Sequence, residues 1–88
     1  MAEEPDEIAV EALQEQLASF SVEQFLVSAA STIASLAYAK LERQDLVEAR
    51  KAIDALAVLV PQLEGELAND LALALTGLQL AYAEAASA

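Results

Sequence analysis

The chain has no cysteine and no histidine. Their absence excludes disulfides, thiolate and imidazole metal sites, and Ser-His or Cys-His nucleophile pairs within one chain. It also fits a reducing compartment. Basic residues are scarce: Lys40, Arg43, Arg50 and Lys51 stand against 15 acids, for a net charge of −11. Binding phosphates requires Lys and Arg to displace counterions, so direct nucleic-acid binding is not expected. An anionic membrane surface is disfavoured on the same ground. A basic protein partner, or simple solubility, suits the charge better.

Long apolar runs are missing too. The longest uncharged stretches, Gln24–Ala39 and Leu71–Ala83, fall short of the roughly 20 residues a membrane-spanning helix needs. The opening MAEEPDE is acidic and lacks the positive region of a secretory signal. A cytoplasmic location is the expectation. There is no internal repeat and no Gly/Ser linker. The one alternating stretch, LALAL at 71–75, lies in a helical context.

Eighty-eight residues allow one domain, and a monomer this small has a thin core. Yet 57% of the chain is hydrophobic. Much of that is alanine, which favours helix while burying little. The Leu, Ile, Val and Phe content still exceeds what one small bundle can hide, which points to an oligomer.

The best-defined stretch is DLVEARKAIDALAVLVPQL, residues 45–63. Leu46, Ala49, Ile53, Leu56, Val60 and Leu63 recur in steps of three and four, as one helix face requires. Asp45 and Glu48 make a capping-box start, and Pro61 followed by Gly65 marks the exit. Upstream, Ser21 and Gln24 form a second capping box opening a helix over Val22–Lys40, with a core stripe of Val22, Phe25/Leu26, Ala29, Ile33 and Leu36. The turn 41–44 is short, so these two helices should be antiparallel neighbours. Residues 1–5 read as a frayed leader, with Asp6 capping a helix over Glu7–Ser19 whose stripe is Val10, Leu13, Leu17 and Phe20. Without a partner covering that stripe the helix is marginal. A last helix starts at Glu66 or Asn69 and runs to Ala85. Its main stripe is Leu67, Leu71, Leu75, Leu78 and Tyr82, with a second at Leu73 and Leu80. No charge falls between Asp70 and Glu84, and a helix apolar all round belongs in an interior or an interface. Gly77 lowers helix propensity by about 1 kcal/mol, which a close helix crossing would explain.

Three pieces resemble a family of short bacterial helical domains, the domain of unknown function numbered 1844: FSVEQFLVSAAS at 20–31, DLVEARKAIDALAVL at 45–59, and the tail from GEL at 65–67 to LQLAY at 78–82. The resemblance covers about three quarters of the chain. It is most specific at Ile53-Asp54, and it departs at Glu66, Ala68 and Gln79, where the family favours Asn, Thr or Ser, and Arg. It implies an α-helical fold and brings no activity. A translation-associated adaptor role is the runner-up it suggests.

Few residues offer chemistry. Asp54, within a turn of Arg50 and Lys51, reads as a surface ion pair worth under about 1 kcal/mol rather than a catalytic carboxylate. Paired-acid catalysis needs two carboxylates fixed in a cleft, and a di-metal bundle needs histidines that are absent. The four bases form a solvated helix-turn-helix tip, a small anion site, or a dock for another subunit's acidic first helix. The Ser28, Ser31, Thr32 and Ser35 strip reads as a packing or solvent face, and Tyr38 and Tyr82 as boundary aromatics. No catalytic residue, cofactor or metal is expected.

The sequence thus predicts an all-α bundle of three core helices over 21–88, plus an acidic N-terminal segment or helix over 1–20. It should form a homo-oligomer, a dimer before others, through Leu59, Leu71, Leu73, Leu75, Leu78, Leu80 and Tyr82. The expected role is a non-enzymatic protein–protein interaction or structural module. The alternative is an acidic adaptor for a basic partner.

Overall fold

The computed structural model describes the backbone of residues 3–88 and the side chains of residues 9–88. The described chain is all-α. Four helices follow in order: α1 (Glu3–Ser19), α2 (Val22–Glu42), α3 (Leu46–Leu59) and α4 (Glu66–Ser87), with a short 3-10 turn over Val60–Gln62 between the last two. No strand occurs among the described residues.

Local chemistry accounts for most boundaries. Ser21 caps α2, its hydroxyl accepting from the Gln24 amide at 3.3 Å. Asp45 caps α3, accepting from the Glu48 amide at 3.4 Å. In neither case does the reciprocal side-chain arm of the capping box form among the described residues. At Asp45 the reason is visible: its amide already donates to Lys40 O at 2.9 Å. That bond and Gln44 N–H to Leu41 O at 3.0 Å form the paired closure of a Schellman motif at the end of α2. Gln44 takes the left-handed position, at φ 59°, where glycine is the usual occupant.

Pro61 ends α3 as expected, through the 3-10 turn. Gly65 (φ 88°, ψ −168°) is the N-cap of α4 rather than the C-terminal cap of α3. Of the two expected starts for the last helix, the earlier one, Glu66, is observed. The first helix starts at Glu3 instead of Glu7. A proline in the first turn lacks an amide hydrogen that no bond there requires, so Pro5 is tolerated. Of the expected frayed leader, Met1 and Ala2 lie outside the described residues.

The core belongs to α2, α3 and α4. Leu56 and Leu78 are fully buried, with Ile53, Leu63 and Leu71 around them. The α2 face turned into this core is Ala30, Ala34 and Ala37. The stripe expected on α2 points partly outward instead, with Val22 71%, Phe25 65% and Leu36 49% exposed. Alanine lets three helices approach closely; Leu26, Val27, Ile33 and Leu41 of α2 pack part-buried against the core, while Val22, Phe25 and Leu36 are left at its rim. One tertiary hydrogen bond ties the start of α2 to the turn before α4, at one end of this core: the Glu64 amide donates to Glu23 Oε2 at 2.9 Å.

Helix α1 leaves α2 at 91°, and none of its described side chains is buried. The consequence is a large surface. The radius of gyration is 17.5 Å, against roughly 12 Å for a compact domain of this length. The chain exposes 6581 Å², where a folded monomer of its mass exposes roughly 5,000 Å². The excess, on the order of 1,600 Å², is about twice the roughly 800 Å² that one partner contributes to a standard interface. No single helix among the described residues is long and apolar enough to cross a membrane.

Candidate interaction surfaces

The residues expected to form an interface divide into three groups. Leu71 and Leu78 face the core of their own chain, 8% and 0% exposed. Their surface is already spent inside the subunit, and they are not available to a partner. Leu59, Leu75 and Tyr82 pack part-buried against that core. Leu73 and Leu80 point away from it, 73% and 63% exposed. Helical geometry explains the split. Leu71 and Leu78 are seven apart and share one face, while Leu73 and Leu80, displaced by two residues, lie about 200° around the helix.

On that outer face, Asn69, Leu73, Thr76, Leu80 and Ala83 follow the alternating three-and-four spacing of a helix-pairing seam. Thr76 donates its hydroxyl to Ala72 O at 3.1 Å. The seam therefore presents no unmet hydroxyl donor at this point. Gly77 lies beside it, and a Cβ there would meet nothing within 4 Å. No close crossing within the chain accounts for this glycine.

A second surface surrounds the joint between α1 and α2. Val10, Leu13 and Leu17 of α1, continued by Phe20 just past its end, form an apolar stripe in which every member is at least 50% exposed. At the joint, Leu17, Phe20, Val22 and Phe25 line a recess of about 180 Å³. A neighbouring recess shares Phe20 and Phe25 with it. That recess in turn shares Gln24 and Ser28 with an open groove of about 700 Å³. The groove has Val27 and Leu67 as apolar lining and Glu23, Glu64 and Glu66 as charged lining. Sequence reading missed this groove, because its parts lie about 40 residues apart and are brought together by the packing of α2 on α4 and by the Glu64–Glu23 bond.

The bases are arranged differently. Lys40 pairs with Asp45 at 3.7 Å. Arg50 pairs with Asp54 at 3.7 Å and lies 6.0 Å over the Tyr82 ring. Asp54 is thus one half of an exposed i,i+4 pair, a contact of at most about 0.5 kcal/mol. The hydroxyl of Thr32 is spent on Ser28 O at 3.0 Å, so this part of the α2 strip offers no free donor. Among the described residues no group of three or more carboxylates is placed to hold a metal ion.

Fold and surfaces together define a small all-α chain whose apolar surface is incompletely covered. Compared with known proteins, it matches no family model, no curated protein and no solved structure.

Proposed function

We propose that the chain is a non-enzymatic helical interaction module that self-associates through the outer face of α4, as a two-fold symmetric dimer. The observation that carries this is the outward position of Leu73 and Leu80, one heptad apart on a stretch free of charge from Leu71 to Ala83. Two copies of the face stack leucine against leucine, with Thr76 and Gly77 at the crossing allowing the backbones to approach. Such an interface is isologous and closes on itself. Membership of the bacterial domain family numbered 1844 belongs to this proposal as well, resting on the sequence pieces between Phe20 and Tyr82.

The absence of native cysteine makes a single introduced thiol a clean reporter. Gly77→Cys places one at the midpoint of the face, where symmetry brings it opposite its counterpart. A disulfide requires Cα atoms within roughly 7 Å. Gly77→Cys is expected to form a covalent dimer rapidly under mild oxidant, and Ser31→Cys, on the exposed side of α2, is not. Equal slow rates for the two would contradict the reading.

A further inference from the structure

The joint between α1 and α2 carries a second, chemically different surface that self-association through α4 leaves uncovered. Its apolar part is continuous, from Leu17 and Phe20 across Phe25 to Val27 and Leu67, through three recesses that share residues. Leu17, Phe20, Val22, Phe25 and Leu67 are each more than half exposed, so nothing among the described residues covers them. Its charged part has one sign. Glu23, Glu64 and Glu66 line the groove, and Glu23 is held in place by the Glu64 amide.

The distribution of charge identifies the occupant. Residues 1–39 carry acids and no base, and Glu64, Glu66 and Asp70 add to them at the end where α2 begins. At the opposite end, Lys40, Arg43, Arg50 and Lys51 are matched one for one by Glu42, Asp45, Glu48 and Asp54, with two of the pairs formed. Nearly the whole net charge of −11 therefore sits on α1 and around the groove. Outside those two pairs a second copy has only Arg43 and Lys51 to offer there, each beside an acid of its own, too little to answer the acids of the groove. The complement must come from another protein.

We propose that the α1–α2 joint and its groove form a docking surface for a basic amphipathic helix of a different protein. Apolar side chains of that helix seat against Phe20, Phe25 and Leu67, and its Lys or Arg residues meet Glu23, Glu64 and Glu66. This is helix-in-groove recognition. The apolar anchors give affinity, and the acidic rim sets partner choice and association rate. The proposal does not rest on the α4 interface.

The test uses the full chain and a fluorescein-labelled helical peptide of leucine and lysine in amphipathic spacing, with a leucine–glutamate peptide of the same pattern as comparison. Binding is read by fluorescence anisotropy at two salt concentrations. The lysine peptide is expected to bind saturably and more weakly at high salt, and the glutamate peptide not to bind. Glu23→Gln/Glu64→Gln/Glu66→Gln and, separately, Phe25→Ala are each expected to raise Kd at least tenfold. The far-end triple Glu42→Gln/Glu48→Gln/Glu84→Gln and the α4 pair Leu73→Gln/Leu80→Gln are expected to change it less than threefold. Circular dichroism checks that each variant remains helical. Equal losses in both triples would show attraction to net charge alone and overturn the proposal. Absence of saturable binding to the unmodified chain, or equal binding of the glutamate peptide, would overturn it as well. A loss on the α4 pair alone would move the site elsewhere and reject it.

Discussion

Replacing Leu73 and Leu80 together by glutamine separates the fold from the association. Both side chains face outward, at 73% and 63% exposure, so they add little to the core of their own chain. Full burial of a leucine contributes roughly 2 kcal/mol. Burying what these two expose is therefore worth about 2.5–3 kcal/mol per copy, or about 5 kcal/mol across a symmetric pair. That corresponds to roughly four orders of magnitude in Kd. Association itself costs at least about 4 kcal/mol, so the two leucines decide whether a dimer persists at micromolar concentration. Analytical ultracentrifugation of Leu73→Gln/Leu80→Gln should show one species near the 9.3 kDa chain mass, with an unchanged helical circular dichroism spectrum. Val47→Gln, 80% exposed at the start of α3, should leave the association constant within threefold of the original. If the double variant associates as tightly as the original chain, the α4 face is not the contact. If it loses its helical signal, the two leucines were supporting the fold and their outward assignment is wrong.

Three further outcomes follow from packing and backbone geometry. Leu56→Ala empties a fully buried position and should cost about 2–5 kcal/mol in a urea titration, while an equal change at exposed Val58 should stay under about 1 kcal/mol. Gln44→Gly removes the strain of a non-glycine residue at φ 59° and should raise stability by about 1 kcal/mol, seen as a later thermal midpoint. The two glycines should respond oppositely to alanine although neither has a neighbour in the way. Gly65→Ala forces a side chain into φ 88° and should cost about 1–3 kcal/mol. Gly77→Ala, inside a helix, should stabilise the monomer by up to about 1 kcal/mol.

How much of this was legible beforehand depended on whether the signal was local. The start of α3 was readable because Asp45 and Glu48 announce a cap and the Ile53–Leu56–Leu63 spacing names its buried face. On α4 both leucine stripes could be read from spacing, and the packing of the bundle then turned Leu71 and Leu78 inward. The buried face of α2 was readable only in part. Leu26 and Ile33 of the expected stripe pack against the core, but its buried residues are Ala30, Ala34 and Ala37, and a pattern weighted toward bulky side chains passes over alanine in favour of Val22, Phe25 and Leu36. Nothing in the sequence announces a left-handed glutamine at 44. The groove beside the α1–α2 joint depends on a bond spanning 41 residues, which no periodicity encodes. Long-range juxtaposition is the part that pattern reading leaves out.

The claim on which these readings converge is that a single chain cannot shelter its own apolar surface. Sedimentation equilibrium of the unmodified chain, across nanomolar to hundred-micromolar concentration, tests this most directly. The account predicts a reversible rise from the 9.3 kDa chain mass to twice that value. A constant single-chain mass over the whole range would contradict it.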